Sequence, residues 1–252
     1  MITVVGLLLA WEILVRVTGV PPFILPAPSL VAPEFISRGD LLLEHAAWTV
    51  LEILLGLALG TLIGGLAALV LAASPATRRW VLPLMILSQA IPVFAIAPLL
   101  VLWLGYGTAS KVAMATLVIF FPVASAFYDG LRRTDPEWLE LARVMNAAPS
   151  AMLLQIRLPA ALPAFGSGLR VAASVAPIGA VVGEWVGASA GLGYLMMQQL
   201  ARGQTTLAFA ALLLLCAIGV ALYYAVDLGL RRLLRWSPDP HDPQPGHPGD
   251  LP

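Results

Sequence analysis

Six stretches of the sequence are mostly apolar over about 20 residues, the length that an α-helix needs to cross the hydrocarbon core of a bilayer. Only 11% of the 252 residues are charged, against about 25% in soluble domains, so too few charges are present to cover a water-exposed surface. The sequence therefore predicts an all-α integral membrane protein. Its six predicted spans are residues 2–20, 47–73, 81–104, 109–128, 169–187 and 207–230.

The distribution of basic residues predicts the orientation of these spans, because Lys and Arg accumulate on the cytoplasmic side of membrane proteins. With the N-terminus inside, ten basic residues fall in cytoplasmic segments and four fall outside, which together make the 14 of the chain. Both termini are then cytoplasmic. Residues 237–252 are rich in Pro, Asp and Gly and are expected to form a disordered tail.

The segment between the fourth and fifth spans is polar, and its helix-capping and helix-breaking residues indicate two short helices. Asp135, followed by proline, is a typical N-cap, and Asn146 tolerates the left-handed conformation that closes a helix. Pro149 suits the first turn of a second helix, which Pro159 and Pro163 are expected to stop. We therefore predict a helix-turn-helix hairpin outside the bilayer.

The spacing within this hairpin resembles the EAA loop of ABC-importer permeases, in which EAA is followed by three residues, Gly, nine residues and I-x-L-P. Two positions differ, because Leu141 replaces the first Ala and Asn146 replaces the Gly. The resemblance implies the type I ABC-importer permease fold, with residues 1–236 as one permease domain and residues 129–168 as a cytoplasmic loop coupled to an ATPase. The coupling residues that it implies are Glu140, Leu141, Ala142, Asn146, Ile156, Leu158 and Pro159.

Three further stretches, WEILVRVTGVPPFILPAPSLV, LWLGYGTASKVAMATLVIFFPV and GEWVGASAGLGYLM, resemble the nitrate/sulfonate/taurine-type permeases. The run APIGAVVGEWVGASAGLGYLMMQQLARGQTTLAFAALLLL, residues 176–215, is most similar to members assigned to pyrimidine precursors of thiamine, namely hydroxymethylpyrimidine or its formylamino relative. The resemblance implies import of such a precursor, with alkanesulfonate, taurine, nitrate and riboflavin as alternatives. It also implies a bacterial cytoplasmic-membrane homodimer surrounded by lipid, two ATPases that bind ATP and Mg, and an extracytoplasmic solute-binding protein.

Catalytic motifs are absent from the sequence. The only lysine, Lys111, follows Ser110 and does not fit a P-loop, so ATP hydrolysis is expected on a separate chain. His45, His241 and His247 do not have a metal-binding spacing, and no Gly-x-Ser-x-Gly elbow occurs. We therefore predict no catalytic residue, metal or cofactor in this chain, and its zero net charge indicates no nucleic-acid partner. A membrane enzyme and an ATP-independent carrier or channel are the alternatives.

Polar and helix-breaking residues inside the spans are candidates for the translocation pathway. Ser88 and Gln89 lie near Pro92 in a proline-interrupted span, where freed carbonyls need protein or a water-filled cavity, although a kinked packing helix is the alternative. Glu184 and Trp185 follow a Gly- and Pro-loosened part of the fifth span. A carboxylate in a span usually faces a cavity or a partner, and the alternative for Glu184 is the membrane interface.

The loop after the fifth span is expected to face outward, beside the exit of that span. In an importer this is where a solute-binding protein would dock. The residues that we assign to this contact are Gly191, Gly193 and Tyr194.

The second span has two features of interest. Gly56, Gly60 and Gly64 repeat every four residues and allow another helix to approach closely, either within the subunit or at a dimer seam. Glu52 lies near the predicted outer end of this span. We therefore expect its side chain to be solvated at the interface.

Overall fold

The computed structural model describes residues 2–236, except for the side chains of Ile2, Pro75, Gln89 and Ala90, and every regular element in it is a helix. The predicted tail, residues 237–252, lies outside the described residues. The helices are α1 (Ile2–Thr18), α2 (Pro28–Val31), α3 (Glu34–Ser37), α4 (Gly39–Ala73), α5 (Pro75–Ala90), α6 (Val93–Leu104), α7 (Thr108–Arg132), α8 (Pro136–Val144), α9 (Pro149–Ala151), a π-helical segment (Met152–Arg157), α10 (Leu158–Gly187), α11 (Leu192–Ala201) and α12 (Thr205–Leu233).

Four helical runs are long and apolar enough to cross a membrane. They are α4, α7, the run Pro149–Gly187 and α12. Helices α5 and α6 form a fifth span if they are taken together. The predicted first span corresponds to α1, whose 17 residues are at the lower limit of the about 17–25 residues that cross a bilayer.

The predicted third span, residues 81–104, is not one continuous helix but is divided between α5 and α6. Helices α5 and α6 meet at an angle of 100°. Ile91 has an extended conformation, with φ −82° and ψ 121°, because the ring of Pro92 disfavours a helical residue before it. Pro83 and Pro98 lie inside α5 and α6 without ending them.

Helix α7 lies at the centre of the bundle, between α4 and α10, and small residues bring the backbones together. Gly56, Gly60 and Gly64 all face α7. A Cβ atom at Gly60 would lie 2.6 Å from Ile119, and one at Gly64 would lie 2.8 Å from the carbonyl oxygen of Phe120. The glycine repeat of the second span therefore packs against another helix of the same subunit, which was one of the two predicted roles, the other being a dimer seam.

The predicted hairpin is present, and its first helix has the predicted ends. The Asp135 side chain accepts a hydrogen bond from the Glu137 amide at 2.9 Å, and Asn146 has φ 55°. The Asn146 amide donates to the Arg143 carbonyl and the Ala147 amide donates to the Ala142 carbonyl, the two bonds of a Schellman closure.

The second arm of the hairpin differs from the prediction, because neither Pro159 nor Pro163 stops it. Helix α9, the π-helical segment and α10 form one continuous run from Pro149 to Gly187. The wider π turn directly before Pro159 spreads the backbone where the proline ring would otherwise meet the preceding turn. The hairpin is therefore joined to the fifth span without a break.

Candidate functional site

Where α10 meets α11, a group of polar side chains is buried between the helices. We call Thr49, Glu52, Lys111 and Glu184 the carboxylate cluster. Glu184 is only 1% exposed. Its carboxylate accepts hydrogen bonds from the Thr49 hydroxyl at 2.6 Å and from the Gly193 amide. The Thr49 hydroxyl in turn accepts from the Leu192 amide at 2.7 Å. Glu184 therefore connects α4, α10 and the start of α11.

Two glycines make room for the Glu184 carboxylate. Gly191 has φ 112°, a conformation that L residues rarely adopt, and a Cβ atom there would overlap the carboxyl group. A Cβ atom at Gly193 would lie 2.8 Å from a carboxylate oxygen. The Gly191 amide donates to Nδ1 of His45 at 3.0 Å, and the His45 ring stacks on Tyr194. Both glycines are buried and Tyr194 is half-buried, so their docking role stays a prediction.

Lys111 holds the start of α7 against the end of α10. Its buried ammonium group donates to the backbone carbonyls of Tyr106, Gly107 at 2.9 Å and Gly187 at 2.8 Å. Three acceptors satisfy the three donors of an ammonium group, and Gly187 ends α10, where a positive charge is favourable. Apart from the rarity of lysine in the chain, no sequence pattern indicates this role.

The prediction that Glu52 is solvated at the interface is wrong, because its side chain is only 3% exposed. Helix α4 begins at Gly39 instead of near residue 47, so Glu52 lies well inside the helix. Its carboxyl group interacts with Glu184 and Lys111, and its Oε2 has no hydrogen-bond partner among the described residues. Within residues 2–236, no three His, Cys, Asp or Glu side chains are placed to hold a metal ion.

At the opposite end of the bundle, the hairpin presents apolar side chains to the surroundings. We call Trp138, Leu141, Val144 and Met145 the hairpin patch; Val144 is 80% exposed. Such a patch is typical of a protein contact site, where aromatic residues and Met are enriched. The family pattern identified only Leu141, and the alternation of apolar and charged residues in WLELARVM was the available signal for the others.

The other predicted coupling residues lie around this patch. Glu140 and Asn146 are exposed, whereas Ala142 is buried under the helix and accepts the closing bond of the hairpin. The remaining positions belong to the second arm, where Ile156 and Leu158 are half-buried and Pro159 is exposed.

The predicted pathway residues fall in two places. Trp185 is 43% exposed and stacks on Phe94, with ring centroids 6.3 Å apart, so α10 meets the start of α6 two residues after Pro92. Ser88 is half-buried, and its hydroxyl donates to the Met85 carbonyl of its own helix. The Gln89 side chain lies outside the described residues.

Three cavities lie along one side of α10. The first, about 410 Å³, is lined by Glu184, Trp185 and Tyr194. The second, about 750 Å³, lies between α10 and α12 and shares Trp185 with the first. The third, about 620 Å³, lies between α7 and α10 and shares Ile178 with the second.

Comparison with known proteins places this arrangement in a family. Residues 60–235 match the family described as "Binding-protein-dependent transport system inner membrane component". The chain is 54% identical to a "Probable ABC transporter permease protein" of Haemophilus influenzae, over 92% of this chain and 94% of the relative.

Two relatives have names that specify a solute. The chain is 37% identical to the "Formylaminopyrimidine transport permease protein ThiX" of Halalkalibacterium halodurans, over 91% of this chain and 92% of the relative. It is 39% identical to the "Riboflavin transport system permease protein RibX" of Chloroflexus aurantiacus, over 93% of this chain and 88% of the relative.

Among solved structures, the inward-facing MetNI methionine ABC transporter is similar, with a TM-score of 0.61 and 21% identity. The match covers 80% of this chain and 98% of the matched chain. At this identity the likeness concerns the fold, and it confirms the predicted all-α fold of type I ABC-importer permeases.

Proposed function

This chain belongs to the family of binding-protein-dependent transport system inner membrane components, and from that membership we propose that two copies form the membrane part of an ATP-driven importer for a thiamine pyrimidine precursor. The chain is an integral membrane permease of the ABC-importer type. Its ATPase and its solute-binding protein are separate polypeptides, and ATP and Mg are bound by the ATPase.

The observation that supports coupling to an ATPase is the hairpin patch. Three large apolar side chains lie exposed on the short helix α8 and a fourth, Met145, lies exposed directly after it, where a partner could bury them. The second arm of the hairpin continues into α10, so a displacement of the hairpin moves the fifth span as well. ATP binding would then shift the permease between inward- and outward-open populations through this connection.

The proposed orientation places the hairpin and both termini in the cytoplasm. The carboxylate cluster then lies near the outer surface, and the half-buried Tyr194 lies beside the proposed contact with the solute-binding protein. We keep residues 1–236 as one permease domain and residues 129–168 as its coupling loop. Ser88, Gln89, Pro92, Glu184 and Trp185 remain the proposed pathway residues. Among those whose side chains the structure describes, Pro92 and Trp185 are exposed.

The proposed solute is a pyrimidine of the hydroxymethylpyrimidine type. Support comes from the similarity to the formylaminopyrimidine permease over almost the full length of both chains. The riboflavin permease, also named for a flat heteroaromatic solute, is similarly related. Alkanesulfonate or taurine is the second candidate, because a Bacillus subtilis relative named as a putative aliphatic sulfonates permease is 30% identical.

Uptake in a deletion strain tests this proposal. Cells lacking this chain should lose accumulation of radiolabelled hydroxymethylpyrimidine and keep that of an unrelated amino acid, and a plasmid copy should restore it. Loss of taurine accumulation with normal hydroxymethylpyrimidine accumulation would instead establish the second candidate. Unchanged accumulation of both solutes would contradict the proposed solute class.

A further inference from the structure

The three cavities along α10 form a series that runs from the carboxylate cluster toward the hairpin end. Trp185 joins the first cavity to the second, and Ile178 joins the second to the third. Val171, Ile178 and Trp185 follow each other at intervals of seven residues, so they lie on one face of the helix, and all three are exposed. This face of α10 is therefore uncovered along about 14 residues, or about 21 Å of helix.

The residues that line the three cavities include carboxylates but no Lys, Arg or His. Glu184 lies at one end of the series and Asp129 at the other. Two basic residues, one on α7 and one on α10 itself, are engaged elsewhere. Lys111 donates to three carbonyls, and Arg170 pairs with Asp227 at 2.6 Å.

Aromatic rings border the middle of the series. The stacked pair of Phe94 and Trp185 lines the second cavity on one side, and Tyr223 and Tyr224 line it on another. Flat apolar rings offer stacking surfaces to a planar solute, and their negative faces also attract cations.

We propose that the three cavities are one solute route along α10, and that this route favours neutral or cationic planar solutes and disfavours anions. The proposal rests on the proposed function as an import permease. An anion leaving water for a weakly polar passage needs a positive partner, and anion-selective pores supply Arg or Lys for this purpose. The residues that line this route supply no such partner, and the exposed carboxylate of Asp129 at its hairpin end has the same sign of charge as a sulfonate or nitrate. Among the candidate solutes, an aminopyrimidine ring fits this lining better than a sulfonate does.

The chain contains a natural probe of this route. Cys216 is its only cysteine, is exposed and lines the second cavity. We would treat native membranes containing the full-length chain with the cation 2-(trimethylammonio)ethyl methanethiosulfonate or the anion 2-sulfonatoethyl methanethiosulfonate. The chain is then purified and its labelled fraction is followed over time by mass spectrometry. Each rate is divided by the rate of the same reagent with 2-mercaptoethanol.

Both reagents should reach Cys216, because a solute route admits water, and the normalised rate of the cation should exceed that of the anion by about tenfold or more. Labelling by neither reagent would overturn the route. Equal rates, or faster labelling by the anion, would overturn the charge preference.

Two variants control the experiment. Cys216→Ser should remove all labelling. In that background, Ser174→Cys places a thiol in the same cavity and should show the same preference for the cation. Leu62→Cys instead places a thiol at an exposed position of α4, outside the three cavities. The Leu62→Cys thiol should react only with membrane-permeant N-ethylmaleimide. If it reacts with the charged reagents as fast as Cys216 does, the labelling of Cys216 reflects general exposure and the route is overturned.

Failure of the proposed function would be distinguishable from failure of this inference. Absence of an ATPase from the purified complex would contradict the importer, whatever the labelling rates. Normal ATP-dependent uptake with a Cys216 inaccessible to charged reagents would contradict only the route.

Discussion

The carboxylate cluster and the hairpin patch reverse the usual distribution of side chains in opposite ways. In the cluster, charged groups are buried, and hydrogen bonds from Thr49, Gly193 and Lys111 connect helices that are distant in sequence. In the patch, large apolar groups are exposed on a helix of nine residues and on the residue that follows it. Buried polar groups stabilise a structure only when they are paired. Exposed apolar groups contribute favourable free energy only when a partner removes them from water. The cluster therefore stabilises the fold of the subunit, whereas the patch is the surface to which we propose that the ATPase binds.

The largest expected effect comes from filling the space beside Glu184. Gly191→Ala combines a strained positive φ with a Cβ atom that overlaps the carboxylate, so we expect destabilisation of about 4 kcal/mol. Gly203→Ala is the matched control, because Gly203 has φ 72° but nothing within 4 Å of an added Cβ atom. That control should lower the free energy of unfolding by only about 1 kcal/mol, because it introduces the strain of a positive φ without a steric overlap. Thermal unfolding in detergent measures both, and equal losses would show that the contact with Glu184 contributes nothing.

The next largest effect is expected in the hairpin patch, where a substitution should weaken ATPase binding without changing the fold. Leu141→Arg places a charge in the centre of the exposed apolar surface, and we expect at least a tenfold loss of co-purifying ATPase, or about 1.4 kcal/mol of binding. Ala76→Arg adds the same charge to another exposed position at the same end of the bundle and should not reduce co-purification. Size-exclusion elution should be unchanged for both variants. Full retention of the ATPase by Leu141→Arg would exclude the patch as the docking surface.

A smaller effect is expected where the hairpin turns. Asn146 has φ 55°, which glycine adopts freely and a β-branched residue strongly resists. Asn146→Gly should therefore preserve uptake and ATPase binding, in agreement with the glycine of the family pattern. Asn146→Val should destabilise the hairpin locally by about 1–2 kcal/mol. Hydrogen exchange of the α8 amides should increase in the Val variant only, and equal exchange in the two variants would contradict the role of the turn conformation.

The same contrast explains what the sequence could predict. The hairpin depends on local signals, and Asp135, Asn146 and Pro149 each have the predicted conformational role. The continuation through Pro159 was missed, because the π turn that accommodates it has no recognised sequence pattern.

The carboxylate cluster depends on contacts between residues far apart in the chain, such as Thr49 and Glu184, 135 positions apart. Patterns of apolar residues locate spans, but they do not specify which helices become neighbours. The burial of Glu52 was missed for this reason, and also because apolarity does not define where α4 begins.

The smallest expected effect is that of Glu52→Gln, which we compare with Glu184→Gln in order to separate the two carboxylates of the cluster. Glu184 accepts hydrogen bonds from a hydroxyl and an amide, whereas Glu52 has one oxygen without a partner among the described residues. Glu52→Gln keeps the shape of the side chain and supplies a donor to the neighbouring Glu184, so its stability should change by less than about 1 kcal/mol. Glu184→Gln turns one acceptor into a donor that faces existing donors and should cost about 2–3 kcal/mol. Unfolding temperatures of the two variants measured side by side test this ranking. A larger loss for Glu52→Gln would show that Glu52, rather than Glu184, organises the cluster.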